Sequence, residues 1–553
     1  MGGGCVQLPL LSEPPPYLKY LLGTKSGQLG SLLPKIGKRP QFAQLYIYDT
    51  ENEINNRMNC LLQGDIDPKI VHGLSEMTTD GRQYNIPTTS EVAGLIVGDL
   101  TEENFQRDII VEHRKNGLQR ITDLHPSFMS MTYPLIHPYG EDGYRLGINL
   151  ADVINKTYKR QKLSMRDFYC FRIQQRLNKG KTLLLAGRLL QQYIVDGYMA
   201  IEEEIFRYIR NNQTKLRAAL YSGLMDVILR GDSDCSLVGK TVILPSSHTG
   251  GPRYRAQNYQ DAMAICRWAG YPDLFLTFTC NLKCPEINEM LRLIDQSGND
   301  NMVDIVCRVF QIKLFQLMQD LKNQQPFGKI IACLYTIEFQ KRGLPHAHIL
   351  LFLHPTLKSP SIDHINTMIT AEIPDMEVDP DGYNAVKNYM MHGPCGDLNP
   401  GCLCMKQGKC SKHFSKKFNN QTTFDADGFL IYRRRNTDNR YVVPYNRNLI
   451  VKFDAHINVE LCNYSRSVKY LFKYVNKGSD RATIGIECSD TTTERDEIKR
   501  YLDCRYISAT EACWRIFKFD IHHRESAVER LPFHLQGENT IVFEEETCPE
   551  SIL

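Results

Sequence analysis

The sequence predicts an α+β protein in which an antiparallel central sheet has flanking helices and is covered on one face. Beyond Gly270, runs rich in β-branched and aromatic residues alternate with stretches of helical periodicity. Before that point, apolar residues recur at three- and four-residue steps, which indicates a largely helical region ahead of the sheet. A cluster of cysteines and histidines within residues 392–413 predicts a small Cys/His-rich insertion in the sheet domain.

The composition limits the functional classes. The chain has 553 residues, of which 42% are hydrophobic and 23% charged, which is ordinary usage for a folded protein and argues against disorder. Its formal net charge is +3, so affinity for nucleic acid must come from local basic patches. Eighteen cysteines spread over the chain favour a reducing, intracellular compartment over a disulfide-rich secreted protein. We expect neither a signal peptide nor a membrane span, because no apolar run approaches the roughly 18 residues that a span needs.

Changes in pattern and charge divide the chain into four predicted segments. The first has no assignable chemistry, and the second combines the helical part with a hairpin. The third contains the insertion and a helix at 465–478, and the fourth is acidic, with nine basic residues against 15 acidic ones. The segments are 1–160, 161–354, 355–480 and 481–553.

The individual elements follow from the periodicity of apolar residues. Helices are predicted over Leu183–Val195, Tyr198–Asn211, Lys215–Leu229, 285–296, 302–325 and 361–373. Strands are predicted over Leu274–Cys280, Lys329–Gln340, Pro345–Leu353, Phe429–Arg435, Tyr441–Pro444 and Leu449–Phe453.

Two GKT strings, at 180–182 and 239–241, do not form phosphate-binding loops. Such a loop requires a Gly five residues before its second Gly, and these positions hold Gln175 and Asp234. Without that Gly the backbone cannot wrap the phosphates. The chain is therefore not expected to be an ATPase.

The most informative stretch is a predicted hairpin that carries two histidines and a glutamate. Residues 341–343 connect two strand-like runs, with Gly343 where a positive φ is expected. His346 and His348 lie two residues apart on a strand, so both side chains point to one face. A turn centred on the middle of the connection places Glu338 opposite His346. Two imidazoles and a carboxylate suit a divalent ion with open positions for a substrate oxygen, the alternative being ordinary polar residues on a solvated sheet face.

A second constellation is a predicted helix at 465–478 that carries two tyrosines among lysines. On a helical wheel, Tyr470 and Tyr474 fall opposite the apolar stripe, together with Lys473 and Lys477. A phenol beside ammonium groups is suited to act as a nucleophile, because positive charge favours the phenolate. The alternative is an exposed aromatic platform on which bases stack.

The insertion at 392–413 is rich in Gly, Pro and Lys and cannot bury a core of its own. A zinc ion would fix it. The spacing differs from the common finger patterns, and the alternative is a set of reduced, uncoordinated thiols. The preferred ligands are His392, Cys395, Cys404 and Cys410.

Local charge favours nucleic acid as the partner. Residues 401–480 hold 15 Lys and Arg residues against six Asp and Glu residues. A basic patch with interleaved aromatic residues is typical of phosphate binding, although a charge run alone is more often a solvated face. The candidate DNA-binding residues are Arg433, Arg434, Arg435, Lys473 and Lys477.

Together these residues resemble the replication-initiator (HUH endonuclease) region of Helitron transposases, whose N-terminal part is the Helitron helicase-like domain. The resemblance covers most of the chain and depends on specific strings. They are FLTFTCNLKCPEI at 275–287, EFQKRGLPHAH at 338–348, MHGPC at 391–395 and KYLFKYVNKG at 469–478.

The resemblance implies an HUH nuclease-like fold and a transesterification. In that family the His-hydrophobic-His pair holds Mg²⁺ or Mn²⁺, which here falls on His346 and His348, with Glu338 as a third ligand by our geometric inference. The Tyr-x-x-x-Tyr helix supplies nucleophiles, which here are Tyr470 and Tyr474. The implied reaction on single-stranded DNA leaves a 5′-phosphotyrosine and a free 3′-hydroxyl, and a DNA role places the protein in the nucleus.

Two departures from the family pattern bear on activity. The first motif usually reads Asn-Pro-Lys-Trp-Pro, whereas Leu282 and Cys284 replace the Pro and the Trp here. Full-length relatives continue into a helicase with a phosphate loop, so we expect this chain to be a fragment or shortened product, with any helicase supplied by a longer relative. The competing hypothesis is a catalytically inactive, DNA-binding transposon remnant.

Overall fold

The structure is a computed structural model. It describes residues 6, 8–11, 93–96, 108–113, 117–150, 161–174, 176, 182–213, 242–293, 303–339, 343–358, 360–397, 399–402, 404–426, 428–462, 498 and 507–529. Across these residues, no helix combines the length and the apolar character that a membrane crossing requires.

The described residues form ten α-helices and twelve strands, which are numbered here in chain order. The helices are α1 Phe128–Thr132, α2 Met165–Ile173, α3 Arg188–Asn211, α4 Pro252–Ala269, α5 Pro285–Leu293, α6 Val303–Asn323, α7 Ile362–Met368, α8 Pro380–Ala385, α9 Arg447–Phe453 and α10 Ala509–Ile516. The strands are β1 Ala93–Ile96, β2 Asp108–His113, β3 Gly117–Thr122, β4 Leu274–Thr279, β5 Ile330–Phe339, β6 Pro345–Leu353, β7 Met405–Lys406, β8 Lys409–Cys410, β9 Thr423–Phe424, β10 Leu430–Ile431, β11 Ile457–Leu461 and β12 His522–Glu525.

Five strands form a central antiparallel sheet in the spatial order β11-β4-β6-β5-β12. The α+β class and the antiparallel sheet predicted from the sequence are therefore confirmed. Strand β6, which carries both histidines of the hairpin, lies in the middle of the sheet. Smaller antiparallel sheets are formed by β1-β2-β3, by β9 with β10 and by β7 with β8.

Helices α6 and α10 cover one face of the sheet. Alternate residues of β6, such as Ala347 and Ile349, are fully buried there. Trp514 of α10 is also fully buried, with its ring centroid 6.0 Å from the ring centroids of both Phe310 and Phe339. This packing makes that face the main core, which leaves the other side chains of β6 to point in the opposite direction.

The second face is partly covered, whereas the sequence predicted cover on one face only. Phe275, Leu350 and Phe352 pack there against Ala262 and Ile265 of α4. The apolar patch ends at the histidines of β6, which share this second face.

Two strand predictions were wrong. Leu449–Phe453 lies in helix α9, because the Asn446 side chain accepts a hydrogen bond from the Leu449 N–H and caps the helix. In place of the strand predicted at Tyr441–Pro444, Tyr441 ends a 3₁₀ helix and Val442 forms an isolated bridge with Met391. Strand β4 pairs with β6 on one side and with β11 on the other. Neither β11 nor the edge strand β12 was predicted from the sequence.

The helices predicted at Leu183–Val195 and Tyr198–Asn211 are largely one continuous helix, α3. Gly197 lies in its middle, where a glycine normally weakens a helix. A Cβ at this position would lie 3.0 Å from the ring of Tyr169, so the glycine allows α2 to pack closely on α3. Lys215–Leu229 lies outside the described residues.

The helical region contains a buried histidine that should make stability depend on pH. His137 is 4% exposed, and burial, aided by the charge of Arg172, lowers its pKa to about 3. In the unfolded chain, His137 takes up a proton near the ordinary value of 6.5. The stability that depends on a neutral His137 is therefore complete above that pH and is lost as the pH falls toward about 3. At about pH 5 the loss from this residue is about 2 kcal/mol.

Urea unfolding at about pH 7 and about pH 5 checks this expectation. The His137→Gln variant should lose less stability between the two pH values than the unchanged protein, because it lacks the titrating group. The matched control is His364→Gln, at an exposed histidine in α7. Equal pH dependence in all three proteins would contradict the assignment.

Candidate functional site

The hairpin of β5 and β6 has the predicted register. Glu338 pairs directly with His346, and Thr336 pairs with His348. Gly343 has a φ of 81°, in the left-handed region that was expected of it. The register places Glu338 beside His346, and the alternation of side chains brings His348 to the same face.

The two histidines and the glutamate are in contact on this face. Nε2 of His348 lies 2.8 Å from Oε2 of Glu338, and the two imidazole ring centroids are 4.6 Å apart in an edge-to-face arrangement. His348 is 7% exposed, and the ring of Phe275 stacks on it at 5.7 Å. The fold therefore brings together the three residues that were singled out from the sequence, His346, His348 and Glu338.

Strand β4 orients His346 from the other side. Oγ1 of Thr279 lies 2.7 Å from Nδ1 of His346, and the two residues are partners in the β4–β6 register. Fixing one ring nitrogen leaves Nε2 as the nitrogen that can bind a ligand or metal, which is the usual arrangement of a metal-binding histidine.

His456 extends the same row of side chains, and sequence reasoning missed it. The Thr279 N–H donates to its carbonyl at 3.1 Å, so it lies just before β11 and next to Thr279. Its Nδ1 lies 2.7 Å from the carbonyl oxygen of Tyr389. We call His346, His348, His456, Glu338 and Thr279 the histidine face.

Burial favours the neutral form of His346 and of His456. Burial is the largest of the effects that lower the pKa of His346 to about 3, and the neighbouring His348 and His456 act in the same direction. Burial also lowers the pKa of His456, in opposition to its hydrogen bond with Tyr389. A neutral imidazole has a free lone pair at physiological pH, which metal binding requires.

The donor types on the histidine face fit a hard or borderline divalent ion. Neutral imidazole nitrogens and a carboxylate oxygen are the ligands found in open, catalytic metal sites. His346, His348 and Glu338 would hold such an ion, and ligation would replace the direct hydrogen bond between His348 and Glu338. That bond already places two of the proposed ligand atoms, Nε2 of His348 and Oε2 of Glu338, next to each other.

A second cluster lies in the insertion. Among the described residues, it is the one group of His, Cys, Asp and Glu side chains whose ligand atoms all lie within 4.8 Å of one another. We call it the Cys/His knot. Its members are the four residues that the sequence favoured, His392, Cys395, Cys404 and Cys410.

The three consecutive arginines that were expected to contact DNA lie in two different environments. The guanidinium of Arg434 is buried and donates hydrogen bonds to the carbonyls of Val442 at 2.7 Å and Ala371 at 3.3 Å, so this residue has a structural role. Arg433 and Arg435 both pair with Glu372, at 3.1 and 2.8 Å. The prediction of DNA contact therefore stays with these two arginines and not with Arg434.

The tyrosine helix lies outside the described residues. This applies to the predicted nucleophiles and to the two lysines of the same helix. Their roles stay predictions from the sequence. The residues are Tyr470, Tyr474, Lys473 and Lys477.

Comparison with known families gives one match. Residues 168–351 match the family model described as the Helitron helicase-like domain at N-terminus. The match begins within α2 and ends within β6, so it includes helices α3 to α6, strand β5 and both His346 and His348. A search of curated proteins found no match.

Proposed function

We propose that the chain nicks single-stranded DNA. The premise is that residues 168–351 belong to the Helitron helicase-like domain family, which relates the protein to transposons. The proposed activity is that of a rolling-circle initiator, which cuts a strand and transfers it through a tyrosine. Mg²⁺ or Mn²⁺ is the proposed ion, and the nucleus is the proposed location.

The observation that carries this proposal is the histidine face. A histidine pair on the central strand of an antiparallel sheet faces a carboxylate across a hairpin, and His346 is oriented by Thr279. This arrangement is the one expected of an HUH nuclease-like site. Ordinary polar residues on a solvated face would be exposed and loosely placed, whereas His348 is buried and bonded to Glu338.

The side chains of the histidine face have different roles in the proposed reaction. His346 stays neutral and presents Nε2, because Thr279 occupies its other nitrogen. Glu338 holds His348 in place and supplies negative charge to balance a cation. When bound, a divalent ion polarises the oxygens of the scissile phosphate.

The covalent step is assigned to Tyr470 or Tyr474. The tyrosine oxygen forms a bond to phosphorus while the bond from phosphorus to the 3′ oxygen breaks. The phenol loses its proton, and the departing 3′ oxygen ends as a hydroxyl. The product is a 5′-phosphotyrosine, and the second tyrosine is free to take a second strand during transfer.

The test is direct. The purified chain is incubated with a labelled single-stranded oligonucleotide and Mn²⁺, without ATP, and separated under denaturing conditions. We expect a labelled band at the mass of protein plus DNA, together with a fragment that ends in a 3′-hydroxyl. DNA that binds and is never cut would favour the alternative, an inactive DNA-binding remnant.

A further inference from the structure

We propose that the Cys/His knot binds one structural zinc ion and that this ion anchors the segment that orients His456. The inference does not depend on the nicking activity. It is carried by the convergence of four ligands and by the backbone contacts that connect the knot with the sheet.

The four ligand atoms already lie close to one another, as a tetrahedral zinc site requires. In a site with three thiolates and one imidazole, neighbouring ligand atoms lie about 3.5–3.8 Å apart. Nε2 of His392 lies 3.4 Å from Sγ of Cys410, and all four ligand atoms lie within 4.8 Å of one another. Contraction by about 1 Å at the widest pair completes the site.

The local fold delivers these ligands without a hydrophobic core. Strands β7 and β8 form a hairpin whose two turn residues, Gln407 and Gly408, have φ values of 50° and 73°. This turn places Cys404 just before the hairpin and Cys410 at its end. The Ser411 N–H donates to the Cys404 carbonyl at 2.8 Å, which holds the two ends together.

The ligands are also oriented by neighbouring groups. The ring of His392 stacks on Phe414 with a centroid distance of 4.2 Å, which directs Nε2 toward Cys410. The Lys412 N–H lies 3.4 Å from Sγ of Cys410 and points at it. An N–H group directed at sulfur stabilises a thiolate, the form in which cysteine binds a metal.

A short segment connects the knot with the histidine face. The Tyr389 carbonyl bonds to Nδ1 of His456, and three residues later His392 is a knot ligand. Between them, the Met390 carbonyl accepts from Val443 at 2.8 Å, and the His392 N–H donates to Tyr441 at 2.8 Å. Fixing His392 with zinc therefore restrains the carbonyl that orients His456.

The two sites differ in their chemistry. Three sulfurs and one nitrogen form a closed, soft ligand set that selects zinc, whereas the histidine face offers nitrogen and oxygen ligands with open positions. The knot is therefore structural and takes no part in binding substrate. Its ion should stay bound when the protein is dialysed against Mg²⁺.

The first experiment measures metal in the full chain purified without added metal. Elemental analysis should find about one zinc per chain. After replacement by Co²⁺, intense visible absorption typical of tetrahedral cobalt thiolate should appear. Absence of zinc from folded protein, or a weak spectrum typical of octahedral nitrogen and oxygen ligands, would overturn the site.

Variants define the ligand set. Cys395→Ser and Cys404→Ser should each lose the zinc. Two matched controls lie in the same insertion but outside the set: Cys402→Ser, whose sulfur is 3.5 Å from that of Cys404, and His413→Gln. Both controls should keep the zinc. Loss of zinc in either control, or full zinc in either ligand variant, would overturn the assignment.

Hydrogen exchange tests the anchoring role. Removing zinc from the unchanged protein with a chelator should speed amide exchange at residues 389–393 and 456–459, while α3 stays unaffected. Unchanged exchange in both segments would overturn the proposed link to His456, even if the zinc itself were present.

Discussion

Replacing both His346 and His348 with Ala is expected to reduce nicking of single-stranded DNA by more than about 100-fold. The double change removes both nitrogen ligands and leaves Glu338 without its partner at 2.8 Å. Binding of the same DNA should stay within about 3-fold, because affinity for phosphate comes mainly from Lys and Arg. Cleavage and binding are measured on one oligonucleotide, by gel and by fluorescence anisotropy.

His522→Ala is the matched control. His522 lies on the same sheet in edge strand β12, where it pairs with Thr336, and its Nδ1 is 3.1 Å from the hydroxyl of Tyr254. It is not a proposed ligand, so its loss should leave nicking nearly unchanged. Full nicking by the double variant, or nicking that EDTA does not diminish, would refute the metal assignment.

The register of this hairpin was predictable because it follows from local rules. A short turn containing Gly343 fixes which residues pair, and the alternation of side chains then fixes which of them share a face. His456 was not predictable in the same way. Its neighbours at 449–453 were assigned to a strand, and the capped helix α9 moves the start of β11 to Ile457. Pairing between strands distant in sequence depends on the whole fold.

The Cys/His knot was also predictable only in part from the sequence. Sequence spacing identified a group of cysteines and histidines, and the preferred four are those whose ligand atoms converge. Cys402 and His413 lie in the same stretch but outside that group. The hairpin of β7 and β8 makes the selection, because it brings Cys404 and Cys410 together across a two-residue turn.

The run of arginines shows where charge alone misleads. A sequence of three basic residues predicts a surface patch, but Arg434 points inward and satisfies backbone carbonyls of residues before and after it. Burial lowers its pKa to about 10, which still leaves it charged at neutral pH. Nothing in the local sequence distinguishes it from Arg433 and Arg435, since the difference comes from packing.

The departures at the first motif have a physical account. Cys284, where the family usually has Trp, is 2% exposed and packs with Ile287 and Leu291 of α5 and with Ile305 of α6. Leu282 packs against the same cluster. The neighbouring Asn281 keeps a polar role, because its side-chain amide donates to the Asp454 carbonyl at 2.7 Å. These substitutions therefore alter a small apolar cluster rather than the histidine face.

The Tyr470→Phe and Tyr474→Phe double variant should lose the covalent adduct with single-stranded DNA completely. The change removes both proposed nucleophilic oxygens and keeps both rings, so base stacking and DNA binding should survive. Each single variant should keep some adduct, because either tyrosine can attack. The adduct is measured with a 5′-labelled and a 3′-labelled oligonucleotide. Only the 3′ label should stay with the protein, because it lies on the fragment whose 5′ phosphate is bonded to the tyrosine.

Tyr208→Phe is the control for this experiment, since Tyr208 is 60% exposed on α3, outside the proposed site. It should form as much adduct as the unchanged protein. None of these proteins should need ATP, because the two GKT strings at 180–182 and 239–241 lack the Gly of a phosphate loop. Loss of binding in the double variant would show that the hydroxyls themselves hold DNA, and a persistent adduct would show that another residue attacks the phosphate.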